Sequence, residues 1–453
     1  MSATQNNKTG ANVSDALEIM HKAASAVGAD AFDIVARHSS SLGLSAFQGK
    51  IQQTEISESV GIGIRIFRNG APGYASTERL TSESLQQTLQ DALSHCLFTE
   101  PLHLTLPGPC VLPEEPSHWN PALESLGLEE MARFALDVEA RAFALSSEIE
   151  NIPHLGYGVS QDQSWFANSS GIRHYDRENS FGVGLGAVAL RNGVRKMGVY
   201  QRSGRDLAQA NAEHIASMAV ARSLELLDAK PMAGGSIPAI ISNRVTGSLI
   251  GMFLSSFHAE SVQKGQSRLA GKLGQKIAAK CFRLSSEPFR WDLPGASVMD
   301  SEGVPTQPFT LIEDGLLRGF IHNLETAKRE GCTSTGHASR AYSGRVGTSF
   351  HNCVVAPGTQ NDADLMRLFP RCLEVVKLEG SSGCSAVSGE ISIGVQGFLW
   401  ENGERVQAVD GVTISTNFFD LLQQIVTVGS EYNDSYSSVK IPSFALESVA
   451  VSG

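Results

Sequence analysis

Val60-Gly-Ile-Gly-Ile-Arg-Ile-Phe-Arg-Asn69-Gly70 is a β run that closes on Asn-Gly. That dipeptide favours a two-residue hairpin, because both central positions need positive φ. The run lies in a region of short strands from Ala31 to Ser76. On either side the period becomes helical, over Ser14–Val27 and Leu80–Leu97. Ser14 or Asp15 can cap the first helix, and Thr81 or Ser82 the second.

A similar arrangement follows. Leu126–Leu145 is rich in Ala, Glu and Leu and predicts a long helix. Strands are expected near Gly156–Ser160, Gln163–Asn168 and Phe181–Leu190, and another helix over Ala208–Leu227. Gly182-x-Gly184 leads to Asn192-Gly193 much as Gly61-x-Gly63 leads to Asn69-Gly70. The parallel suggests an internal duplication of an αβ unit, with spacing that differs by one to two residues. Leu102–Pro121 has several prolines and little periodicity and reads as a crossing loop or linker.

Pro and Gly cluster at Ala229–Ser236, which predicts a boundary. The expected organisation is a disordered tail over 1–11, an α+β region over 12–230 and a β-rich region over 237–453. In the last, Ile237–Ser242 reads as a buried strand and Arg244–Phe257 as a helix; further helices are expected at Glu325–Glu330, Asp362–Phe369 and Asn417–Gln424. Helices and strands are segregated rather than strictly alternating, so the fold class is α+β.

The chain has 453 residues, 42% apolar and 18% charged, with net charge −11. This balance fits a soluble globular protein and argues against nucleic acid or an anionic membrane as partner. No run of 18 apolar residues occurs. Seven scattered cysteines without a C-x-x-C pair suit free thiols in a reducing cytoplasm.

Chemistry is sparse when residues are read one at a time. Gly182-Val-Gly-Leu-Gly-Ala alternates its glycines within one strand, unlike a dinucleotide-binding turn between strand and helix. His258 and Glu260 are candidates for acid–base work, but two residues place them on different faces of a helix. Lys264, Arg268 and Lys272 would make a basic stripe if helical. His337 and Arg340 lie in a small-residue loop, Ser334-Thr-Gly-His-Ala-Ser-Arg. Cys384 has the glycines of a nucleophile loop but no histidine linked to it in sequence.

The ordered set of motifs is more specific than any one of them. Asn243-Arg-Val-Thr-Gly-Ser-Leu, Ser261-Val-Gln-Lys-Gly-Gln-Ser-Arg-Leu-Ala-Gly-Lys-Leu-Gly, Met299-Asp-Ser-Glu-Gly-Val and Ser334-Thr-Gly-His-Ala come in succession. Val387-Ser-Gly, Gly397-Phe-Leu-Trp-Glu-Asn-Gly-Glu, Val412-Thr-Ile-Ser and Ile425-Val-Thr-Val-Gly follow. Together they resemble the TldD/PmbA family, on its PmbA (TldE) side, once called modulators of DNA gyrase. The resemblance implies a heterodimer of two related subunits around a peptide-accepting cavity. The TldD-type subunit would carry His-Glu-x-x-x-His and a Cys ligand for zinc.

Between Gly251 and Gly274 this chain has Leu254-Ser-Ser-Phe-His258-Ala instead of a zinc motif, and no cysteine follows Val428-Gly. The resemblance therefore implies no metal and no catalytic residue in this chain, with zinc expected in a TldD-type partner. His258, Glu260, Lys264 and His337 are the candidates for lining the cavity. The implied substrates are unfolded peptides, leader segments or antitoxins. A homodimeric peptide-binding or regulatory protein, and a specialised biosynthetic paralogue, are the alternatives.

Overall fold

The computed structural model describes residues 3–453, with side chains from residue 12 onward. The tail expected over 1–11 falls on residues whose side chains, and for 1–2 also the backbone, lie outside the described part. The first half runs helix, three strands, helix, twice over. The first pass is α1 (Ala3–Ala26), β1 (Ala31–Phe47), β2 (Lys50–Arg68), β3 (Ala71–Thr77) and α2 (Ser82–His95). The second is α3 (Leu128–Leu145), β4 (Ile149–Asn168), β5 (Arg173–Arg191), β6 (Val194–Gly204) and α4 (Ala212–Leu224). All six strands join one antiparallel sheet in the order β3-β2-β1-β4-β5-β6. β1 and β4 meet at its centre, with Gly43 opposite Gly158, so the order reads outward alike in both directions.

Local chemistry accounts for the turns and caps. Asn69 and Gly70 have φ of 54° and 76°, and Asn192 and Gly193 have 50° and 83°, the left-handed pair that an Asn-Gly hairpin needs. Thr81 caps α2 by accepting from the Ser84 amide at 3.3 Å.

Alternation divides each strand between two faces. Ile62, Ile64 and Ile66 pack with Leu85 and Leu89 of α2 and with α1, while Val183, Leu185 and Ala187 pack with α3 and α4. Each third strand has one glycine beneath its helix. A Cβ on Gly73 would stand 1.9 Å from the Ala92 carbonyl oxygen, and one on Gly198 2.3 Å from that of Ala219.

The second half is built on β7 (Gly235–Ile241), β8 (Arg371–Glu379), β9 (Glu390–Glu401), β10 (Glu404–Asn417), β11 (Ile425–Val428) and β12 (Phe444–Ser452). Their order is β10-β9-β8-β7-β12-β11, and β10 also pairs with β12, so the sheet closes on itself. A second sheet of short strands includes Leu284–Ser286, Phe309–Glu313 and Cys353–Val355. Segregated helices and sheets make the fold α+β, with a strand-rich second half.

One expected helix is broken. Instead of Arg244–Phe257 there is α5 (Asn243–Gly251), a 3₁₀ turn over Leu254–Phe257 and the short α6 (Ala259–Gln263). Phe253 and Phe257 are fully buried, and Phe253 stacks on Phe418 at 4.5 Å. Core packing overrides local helical spacing here. The basic stripe dissolves too, since Gly265, Gly271 and Gly274 all take positive φ.

Candidate functional site

The sheet face turned away from the helices is covered over its first half by loops from the second half of the chain. Tyr342 lies across β2. A Cβ on Gly61 would stand 2.2 Å from the Tyr342 ring, and one on Gly63 1.7 Å from its carbonyl oxygen. The glycines of the opening motif are therefore the seat of a distant loop.

Next to this seat, a buried ion cluster joins the two halves. Arg65 of β2 donates Nε to Asp33 at 2.8 Å and Nη1 to Glu302 at 2.5 Å, and Arg340 donates to the other Asp33 oxygen. All four side chains are at most 2% exposed. Burial opposes the Arg65 charge, but Asp33 and Glu302 more than compensate and raise its pKa. Burial lowers that of Arg340 despite Asp33. The adjacent Asp300 carboxyl accepts from the amides of Glu302, Val304 and Ala338, each at 2.9 Å. Burial, with Glu302, pushes it up to about 7.

Beside the cluster is a cavity of about 380 Å³ between β1, β4 and β5 on one side and residues 294–301, 338–342 and 349–351 on the other. Strand alternation supplies Arg37, Asp162, His174, Asp176 and Glu178 from the sheet, and the loops add His351. Arg37 grips Asp162 through Nε and Nη2 at 3.0 and 2.7 Å. The lining thus offers both signs of charge beside apolar Val35, Phe166 and Phe350. A second hollow of about 430 Å³ lies on the uncovered part of the same face, lined by Ser41, Gly43, Gly158, Ser160, Ser180 and Gly182 among others.

The four sequence-predicted residues separate into two pairs. His258 and His337 flank Phe350, at ring distances of 5.5 and 6.3 Å. His258 Nδ1 is 2.9 Å from the Thr348 hydroxyl, and His337 Nε2 is 2.9 Å from that of Ser286. Burial, then His351, pushes His337 down to about 3, and burial also lowers His258. Glu260 and Lys264 instead pair with each other at 2.5 Å on an exposed helical turn. Reading the sequence passed over His351, whose ring is 5.1 Å from His337, and the charged positions of β1, β4 and β5. A lone His in a loop gives no signal, whereas strand alternation could have shown the acidic run on β5. Cys384 packs, partly buried, against the core of the second half, and the Gly383 before it lies so close to Ser392 that a Cβ would be 2.1 Å from its carbonyl oxygen.

A zinc ion of the zincin type does not fit around His258. One ring nitrogen is engaged by Thr348, Glu260 is tied to Lys264, and α6 has only five residues. Such a site needs two imidazoles on one helical face.

Comparison with known proteins agrees with this architecture. Three domain models match: PmbA/TldA metallopeptidase domain 1 over residues 32–96, the central domain over 121–227 and the C-terminal domain over 234–453. The chain is 25% identical over 422 residues to Metalloprotease PmbA of Escherichia coli O157:H7, covering 90% of this chain and 89% of that one. It is 25% identical over 396 residues to a metalloprotease of Methanothermobacter thermautotrophicus, covering 85% and 84%. A proposed modulator of a DNA gyrase from Thermotoga maritima superposes with a TM-score of 0.89 at 25% identity, covering 97% of this chain and all of the other. TldE from Thermococcus kodakarensis superposes with 0.86 at 23% identity, covering 98% and 100%. With matching models across most of its length, the chain belongs to the PmbA/TldD metallopeptidase family, on its PmbA/TldE side.

Proposed function

We propose that this chain is the PmbA/TldE-type subunit of a two-protein zinc metallopeptidase. It completes a peptide-accepting chamber whose hydrolytic zinc sits in a TldD-type partner. The observation that carries this reading is the Gly251–Gly274 segment. It offers one histidine, on a 3₁₀-to-helix junction, where a metallopeptidase needs a zinc-binding helix. The chain's contribution is then to bind and exclude. Glycine and serine on the open sheet face leave room for an extended peptide, and the paired charges of the 380 Å³ cavity accept mixed side chains.

Unfolded peptides, leader segments and antitoxins are the substrates this reading favours, in the cytoplasm. Seven free cysteines and the absence, among the described residues, of any helix long and apolar enough to cross a membrane are compatible with it. Nucleic acid is no partner in this reading, given the net charge of −11. A homodimer that holds peptides without cleaving them is the second reading, favoured by the same open face. Mixing the purified chain with a TldD-type subunit separates the two. Cleavage of an unfolded peptide in the mixture alone supports the first, and a peptide-binding homodimer that stays inert on mixing supports the second.

A further inference from the structure

Among the described residues, one place gathers three potential metal ligands, and it is far from the His258 segment. Glu115, His118 and Asp176 each offer a ligand atom within 4.8 Å of the other two. Glu115 and His118 come from the proline-rich linker, and Asp176 from β5. The linker is held there by a bridge between His118 and Glu178 and by reciprocal bonds between Asn120 and Asn179 at 2.8 and 2.9 Å.

The three side chains are poorly satisfied as they stand. The His118 side chain is 3% exposed, Nε2 is buried without a hydrogen-bond partner, and Nδ1 points at Glu115 Oε1 from 3.9 Å, too far for a hydrogen bond. Buried polar groups are nearly always paired, yet this imidazole makes no hydrogen bond to either carboxylate, and Nδ1, the nitrogen that faces Glu115, is the one placed to take a ligand. Among the described residues, the Asp176 carboxylate accepts only the Arg177 amide, at 2.7 Å, on Oδ1. The nearby Arg205 hydrogen-bonds none of the three: Nη1 donates to the Trp291 carbonyl at 3.1 Å and Nη2 to Glu178 at 3.3 Å, while its Nε is buried without a partner.

We propose that Glu115, His118 and Asp176 bind a divalent transition-metal ion, which clamps the linker to β5 at the edge of the 380 Å³ cavity. One imidazole with two carboxylates suits Zn²⁺, Mn²⁺ or Co²⁺ better than Mg²⁺ or Ca²⁺, which prefer all-oxygen shells. Bond lengths near 2.0–2.2 Å require donor atoms about 3.3 Å apart, so the 3.9 Å gap closes by roughly half an ångström on binding. The site is separate from the hydrolytic zinc assigned above to the partner subunit.

The test uses the full chain, stripped with chelator and titrated with Co²⁺ alone, followed by visible absorption and thermal unfolding. One Co²⁺ per chain with d–d bands, displaced by Zn²⁺, is expected, along with a rise in Tm. Glu115→Gln and Asp176→Asn, both partly exposed positions that need not disturb folding, weaken binding at least about tenfold, the lower bound for even an outer-shell partner. Absence of Co²⁺ binding by the wild-type chain, or unchanged binding in the Glu115→Gln/Asp176→Asn double variant, overturns the proposal. The readout is metal binding by the isolated chain, so it stands or falls independently of peptidase activity in a mixture.

Discussion

At Gly63 a methyl group would stand 1.7 Å from the Tyr342 carbonyl oxygen, an atom with no flexible side chain to move aside. Gly63→Ala therefore forces the 340–344 loop off the sheet, and urea unfolding should register a loss of about 1–3 kcal/mol, the usual scale of overpacking. His337 makes a prediction about pH. Its folded pKa is held at about 3, by burial and then by His351, whereas an unfolded histidine titrates near 6.5. Below about 6.5 the unfolded chain takes up a proton that the folded chain refuses. The contribution is thus fully present above about pH 6.5 and is lost towards pH 3, at about 1.4 kcal/mol per unit. Measured between about pH 7 and pH 5, the fall in Tm should be shallower for His337→Gln than for wild type. An equal fall would show that His337 does not carry the effect.

Among elements, glycines on neighbouring strands of one sheet serve different ends. Gly198 lies beneath α4, where a Cβ would meet the Ser223 amide at 2.2 Å, while Gly184 faces open space with only Gln201 at 4.0 Å. Gly198→Ala should cost about 1–3 kcal/mol and Gly184→Ala no more than about 0.5, both read from denaturant midpoints. The Asn-Gly hairpins, the Thr81 cap and the helix at Asn417–Gln424, observed as Phe418–Gln423, were legible because each rests on a few neighbouring residues. The broken helix after Gly251 was not, because Phe253 answers to Phe418 across the core. The reason for Gly61 and Gly63 was equally hidden, since Tyr342 is remote in sequence. The same holds for the site: the His258 and His337 motifs could be found by order, but their meeting around Phe350, and the convergence of the linker on Asp176, depend on tertiary packing.

Across the whole molecule, the halves are joined by Asp33, Arg65, Glu302 and Arg340, whose charges cancel within a buried cluster. Removing one partner leaves buried charge uncompensated. Arg65→Ala should thus cost about 3–5 kcal/mol and loosen the 380 Å³ cavity beside it, detectable as faster amide exchange at residues 33–37 and 338–342. Unchanged exchange there would mean that the Tyr342 seat and the other contacts between the halves hold this region without the ion cluster. The fold explains how a chain without a zincin helix can still form a cavity lined by both signs of charge, since the sheet face and the loops of the second half build it together.

The most direct test of that account is cleavage of an unfolded peptide by the purified chain alone and by an equimolar mixture with a TldD-type subunit. The account predicts no turnover by the chain alone and chelator-sensitive turnover in the mixture. Robust chelator-sensitive cleavage by the isolated chain would contradict it.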